Sequence, residues 1–263
     1  MKLPRAIRQI GKRVVNATPL LRRQILTSTD YSVLGGVEEA RKAQASSGGW
    51  LAARTVRRQE RAYLGLIAAM KRGEPRLDLQ VAAEAVAATG IAQPRLLEVG
   101  CGSGYYSEVF DTLVKGGLRY TGIDYSAAMI ERAHANYPSA DFEVADATAL
   151  PYADAAFDIA FNGVSLMHII DYPAAIREAA RVTANYCILH SVPVFDDHST
   201  TYLQKYAYGA PVVEIVFGRE ELIGLCEAAG LRLERSWPSI PYDVSKVTGH
   251  HSKAETYLLS KRK

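Results

Sequence analysis

The chain has 263 residues, 48% of them hydrophobic and 22% charged, with a formal net charge of +3. Those totals fit a soluble globular protein, one sizeable α/β domain or such a domain with an added cap. No apolar run approaches the roughly 20 residues of a membrane span, and Arg and Lys interrupt the apolar residues of the N-terminus too often for a secretory leader.

Residues 1–29 carry seven Lys/Arg and no acid, so the rest of the chain is mildly acidic. Leu3, Ile7, Ile10 and Val14 fall on one helical face. Such a basic amphipathic helix either packs on its own domain or a neighbouring subunit, or makes peripheral contact with an anionic membrane. Residues 1–47 read as helical or irregular, and Ser46-Ser47-Gly48-Gly49 as a loop before Trp50. Helices are expected over 51–71, ending at Gly73 and Pro75, and over 77–89, with Gly90 as C-cap. Residues 1–90 thus form a helical N-terminal extension.

From there strands (95–99, 119–123, 142–144, 157–161, 186–192) alternate with helices (105–114, 126–136, 174–182), the pattern of a parallel sheet covered on both faces. Residues 193–217 break the rhythm as an excursion beyond a strand's carboxyl end, where ligands of open α/β sheets bind. A helix over 219–229 and strands at 231–237 and 255–260 close the domain, 91–263. Cys101, Cys187 and Cys226 form no CxxC pair, which argues against zinc and suits a reducing cytoplasm.

The stretch LLEVGCGSGYYS places Gly100, Gly102 and Gly104 between a strand and a helix. Glycines there let a ligand press against the backbone, but the spacing differs from the G-x-G-x-x-G of dinucleotide loops. Glu98, two residues earlier, would repel a pyrophosphate and welcome a cation. Asp124 ends the next strand, about 20 residues past the loop, where a carboxylate accepts ribose hydroxyls. Asp146 follows the third strand and could accept an adenine amine while the Ala147 N–H donates to the ring. Together these groups describe a nucleoside with a cationic tail and no phosphate.

In order and spacing, LLEVGCGSG, GIDYS, VADATALPYADAAFDIAF and SLMHII resemble the class I (Rossmann-like) S-adenosylmethionine-dependent methyltransferases over roughly residues 92–260. The resemblance implies a doubly wound α/β fold with a seven-stranded, mostly parallel sheet, its last strand antiparallel. It implies that Glu98, Gly100 and Gly102 line the methionine side of S-adenosylmethionine (product S-adenosylhomocysteine), with Cys101 beside the cofactor only as the small residue the loop requires. Asp124 and Tyr125 would meet the ribose, Met129, Asp146 and Ala147 the adenine, and Asn162 and Gly163 would lie under the sulfonium. Asp158 reads as structural, and Met129 suits a core role equally.

Methyl transfer to a hydroxyl needs a base. His168, just past the fourth strand, and His190, near the end of the fifth, are the candidates. In related natural-product and sugar O-methyltransferases a His stands at the SLMH position as base, but here Met167 replaces the further His of some of them. Tyr202, Tyr206 and Tyr208 could stack on an acceptor ring or merely pack on the core. Trp50, Arg58 and Gln59 are placed to close over the cofactor as a lid. No Asn/Asp-Pro-Pro-Tyr follows the fourth strand and no acid cluster suggests a metal, so the expected acceptor is a small molecule or glycan, not nucleic acid. A nicotinamide-dependent oxidoreductase and a non-catalytic S-adenosylmethionine-binding protein are the alternatives.

Overall fold

The computed structural model describes residues 18, 23, 28–47, 49–51 and 53–262. The basic helix expected through Leu3, Ile7, Ile10 and Val14 lies outside the described residues. In chain order the N-terminal part comprises strand β1 (Ser28–Val33) and helices α1 (Val37–Ser46), α2 (Ala53–Lys71) and α3 (Leu77–Ala87). Then follow β2 (Arg95–Val99), α4 (Tyr105–Leu113), β3 (Arg119–Asp124), α5 (Ala127–Asn136), β4 (Asp141–Val144) and β5 (Phe157–Gly163). The remainder is α6 (Tyr172–Val182), β6 (Thr183–Phe195), β7 (Thr201–Ala207), β8 (Ala210–Gly218), α7 (Arg219–Ala228), β9 (Leu231–Pro238) and β10 (Lys253–Lys261).

β2 is central, parallel to β3 on one side and β5 on the other. β4 extends the sheet beyond β3 and β6 beyond β5, again in parallel. β10 then enters antiparallel between β6 and β9. This is the expected doubly wound sheet with its antiparallel last strand. The central strands β2, β5 and β6 are buried on both faces, and their period-2 alternation sorts side chains into two cores. Ile159, Phe161 and Ile188 pack with α2, α3 and α4, whereas Ala160, Cys187 and Leu189 pack with α6 and α7.

Two stretches add to this frame. Ser28–Val33 is a strand, not helical or irregular chain, because Thr29, Tyr31 and Val33 recur every second residue as β-formers do. The excursion at residues 193–217 consists of the end of β6 followed by a hairpin. Tyr208 and Gly209 both have positive φ (51° and 83°), as a two-residue type I′ turn requires. β8 rejoins the sheet by pairing Val194 with Phe217 and Phe195 with Gly218. β1, inside the N-terminal extension, pairs antiparallel with β7, and the sheet grows to ten strands.

The glycine loop depends on backbone that side chains resist. Gly104 caps α4 at φ 87°, and a Cβ there would stand 2.6 Å from Phe142 Cζ. Gly104→Ala combines left-handed strain with overpacking, so urea unfolding is expected to show a loss of about 2–4 kcal/mol.

Candidate active site

A cavity of about 830 Å³ opens over the carboxyl ends of β2, β3, β5 and β6. α1 and α2 roof one part of it, and the β1–β7–β8 side walls the other, with Tyr31, Lys205 and Glu214 facing in.

The glycine loop turns back onto β3: the Gly100 and Cys101 N–H groups both donate to the Ile123 carbonyl at 2.8 Å. Asp124 ties the two strand ends together, accepting from Gly102 N at 3.0 Å and from Ser126 N at 2.9 Å. It therefore also fixes the turn into α5 while lining the cavity. Burial raises its carboxyl to about 6, against the lowering effect of those two N–H donors. Glu98 is 1% exposed and accepts a hydrogen bond from the Tyr120 hydroxyl. Burial pushes its carboxyl up to about 8, with the nearby Asp124 charge adding to the rise. Gly163 must be glycine beside it, since a Cβ there would lie 2.6 Å from Glu98 Oε1.

Glu98, Gly100, Cys101, Gly102, Asp124, Tyr125, Met129, Asp146, Ala147 and Gly163 all line the cavity. Asp146 Oδ1 is occupied by the Thr148 N–H and hydroxyl, both at 2.8 Å. Asn162 is a correction. Its side chain is buried outside the cavity lining, and Oδ1 accepts the Leu166 N–H at 2.7 Å. It pins the turn that carries Ser165–His168. Asp158 is structural as expected, held by Arg95 through its backbone N–H (2.8 Å) and guanidinium (3.0 Å).

The two histidines separate. His168 ends a 3₁₀ turn (Leu166–His168), lines the cavity and has its Nδ1 2.7 Å from the Val213 carbonyl. A carbonyl only accepts, so Nδ1 carries the proton and Nε2 the lone pair. Burial, with the Lys205 charge nearby, lowers its pKa to about 3, keeping the ring neutral. His190 is the second correction. The strand's alternation sends it to the face of Ile188, where it stacks on Phe161 at 5.5 Å and meets Tyr106 edge-on. It is fully buried, bonds Thr256 through Nδ1 at 2.9 Å and does not line the cavity.

Of the expected lid residues, Trp50 and Gln59 line the cavity, whereas Arg58 packs on the hairpin turn and reaches the Tyr208 carbonyl at 3.4 Å. The Trp50 ring lies 5.1 Å from His168 and 5.6 Å from Tyr208. Among the three tyrosines only Tyr208 lines the cavity; Tyr206 carries Arg23 on its ring at 4.2 Å, and Tyr202 packs in the core. Sequence reasoning missed two ion pairs on the cavity wall. Arg76 clasps Asp78 with two hydrogen bonds of 2.6 and 2.5 Å, and Lys205 pairs with Glu214. The signal for the second was a lone acid in the apolar run PVVEIVFG. Among the described residues no group of three or more His, Cys, Asp or Glu could hold a metal ion, and no helix is long and apolar enough to cross a membrane.

Residues 97–189 match the methyltransferase domain family. Over 97 residues the chain is 40% identical to 27-O-demethylrifamycin SV methyltransferase of Amycolatopsis mediterranei, covering 35% of each chain. The chain spans about a third of the length of the curated relatives it matches first. They include an N-methyltransferase as well as O-methyltransferases. A Methanosarcina mazei S-adenosylmethionine-dependent methyltransferase superposes with TM-score 0.52 at 17% identity, over 67% of this chain and 96% of its own. The cyclase SpnF does so with TM-score 0.53 at 20% identity, over 70% and 81%. Residues 97–189 thus resemble a methyltransferase domain, and the chain has the Rossmann-like fold of class I S-adenosylmethionine-dependent methyltransferases. The cofactor implied by that likeness is S-adenosylmethionine. The SpnF likeness is one of fold alone, and a fold does not fix the acceptor.

The residues present fit that cofactor. A shielded acid beside a side-chain-free cradle suits an ammonium group, and carboxylates at successive strand ends suit a nucleoside without phosphate. A cation brought against Glu98 favours its ionised form, so binding expels the proton that burial retains below about pH 8. Titration of S-adenosylhomocysteine at about pH 7 in buffers of unlike ionisation enthalpy should show release of up to about one proton. Affinity should rise with pH toward about 8. Glu98→Gln should abolish the buffer dependence; equal buffer dependence in both proteins would separate Glu98 from the ammonium.

Proposed function

We propose that the protein moves a methyl group to a hydroxyl of a small-molecule or glycan acceptor, with His168 as the base. The observation that carries this is the His168 Nδ1 contact with the Val213 carbonyl at 2.7 Å, which leaves Nε2 as the proton acceptor on the cavity wall. Glu98 would hold the cofactor's ammonium, Arg76 its carboxylate, Asp124 the ribose, and Asp146 with Ala147 the adenine. Bound S-adenosylmethionine supplies a methyl activated by its sulfonium for in-line displacement, so placement supplies most of the acceleration.

The acceptor oxygen becomes strongly acidic as its new bond to carbon forms, so a weakly basic imidazole suffices to take its proton. Trp50 and Met167 beside His168 exclude water from that exchange. The O-methyltransferases among the relatives support a hydroxyl acceptor.

Calorimetry with S-adenosylmethionine, S-adenosylhomocysteine and NAD, beside Asp124→Ala, tests the cofactor. Micromolar binding of the first two alone, lost in the variant, is expected; NAD binding would overturn the reading. With an acceptor found by screening, His168→Gln should lower kcat by about 10²–10⁴-fold while leaving S-adenosylhomocysteine affinity unchanged. Because His168 stays neutral down to about 3, kcat should show no acid limb between about pH 5 and 7, unlike that of an ordinary histidine base.

A further inference from the structure

The acceptor side of the cavity holds a charge pair that the cofactor does not need. Lys205 and Glu214 sit diagonally across the β7–β8 hairpin, with side chains 11% and 3% exposed. Glu214 Oε2 contacts the Lys205 ammonium, and its Oε1 accepts the Tyr242 hydroxyl at 2.5 Å. The ammonium lies 5.8 Å from the centre of the Tyr31 ring. All four residues line the same cavity as His168.

A buried ion pair is a poor way to stabilise a hairpin, since well-packed apolar residues do as well or better. On a cavity wall its surplus hydrogen-bonding capacity is available to a ligand. An ammonium has three donors and a carboxylate about four acceptor sites. Glu214 and the Tyr31 ring engage only part of the Lys205 capacity among the described residues, and two hydrogen bonds leave part of Glu214 open. The pair is also registered to the base. Val213, whose carbonyl orients His168, is the residue before Glu214 on β8, so one strand sets the spacing between proton acceptor and anchor.

The chemistry of the pair chooses among acceptors. A carboxylate drawn to Lys205 would face the like charge of Glu214. An isolated phenol could bridge the pair with its single hydroxyl but would leave the remaining donors of Lys205 and acceptor sites of Glu214 unmet. Neighbouring hydroxyls satisfy both, one oxygen accepting from Lys205 while the next donates to Glu214. Trp50 and Tyr208, with ring centres 5.6 Å apart, offer aromatic surface in the same cavity to the C–H face of a ring. We infer that the Lys205–Glu214–Tyr242 chain is the acceptor-recognition element and that the acceptor is a cyclic polyol, a sugar or cyclitol ring with adjacent hydroxyls. This rests on the methyltransferase reading above and narrows its acceptor.

Saturation-transfer NMR in the presence of S-adenosylhomocysteine tests it on the full chain. The probes are methyl pyranosides of glucose, galactose, mannose and rhamnose and myo-inositol, with phenol and salicylate as controls. At least one polyol should receive saturation from the wild type and lose it in Lys205→Met/Glu214→Met, a double variant that strands no buried charge. Tyr242→Phe keeps the ion pair and should weaken the same polyol by about three- to tenfold. S-adenosylhomocysteine affinity, measured on each sample, should be unchanged. Binding of the controls without any polyol, binding of nothing in the panel, or polyol binding that survives in both variants would overturn the inference and leave the methyltransferase reading standing. Failure of the wild type to bind S-adenosylhomocysteine would overturn that reading and the inference with it.

Discussion

Glu98 leaves the end of the central strand with its carboxyl group shielded from water, bonded by the Tyr120 hydroxyl and pressed against Gly163. An ionised carboxylate in such a place is expensive unless a cation joins it. The surroundings are shaped by that constraint. β5 can pass only because residue 163 has no side chain, and Gly122 on β3 leaves room for Tyr120, whose hydroxyl a Cβ would approach to 2.8 Å. Asp124, one strand over, raises the demand further and turns its own oxygens to the loop backbone. The glycine loop is thus a scaffold that presents acid, where a dinucleotide loop presents N–H groups to phosphate.

The cavity has two halves of different construction. The half proposed for the cofactor comes largely from strand ends that follow one another along the chain, from β2 to β6, with Arg76 added from ahead of them. The half proposed for the acceptor is assembled from distant pieces: β1, the hairpin β7–β8, and Tyr242 beyond β9. They meet at Trp50, whose carbonyl accepts the Ser126 hydroxyl at 3.2 Å on the cofactor side while its ring touches His168 and Tyr208 on the other.

The cofactor half was legible in the sequence because each of its features is local. A strand, a glycine and an acid within a few residues dictate the turn, and most helix and strand bounds fall within two or three residues of the periodicity. What escaped was set by distance. His190 stands at a strand end, yet its side is fixed by which face Ile188 occupies, and that depends on helices α3 and α4. Asn162 reads like a ligand-facing residue until the Leu166 N–H claims it. Lys205 and Glu214 are ordinary charges in isolation; only the hairpin register makes them a pair. β1 was hidden because six residues of alternation are weak evidence until a partner strand is known.

That partner strand has a consequence for how the molecule is made. Ser28 meets Ala207 and Val33 meets Leu203, so β1 waits for a partner that is synthesised only after the whole parallel core. Closing so long a loop costs little more free energy than closing a shorter one, but it is slow. The parallel core from β2 to β6 is contiguous and can form while synthesis continues. During that interval Ser28–Val33 is an unpaired edge with an alternating, β-prone sequence, the kind of segment chaperones shield. Nascent chains would therefore gain a cofactor crevice before they gain a place to put the acceptor.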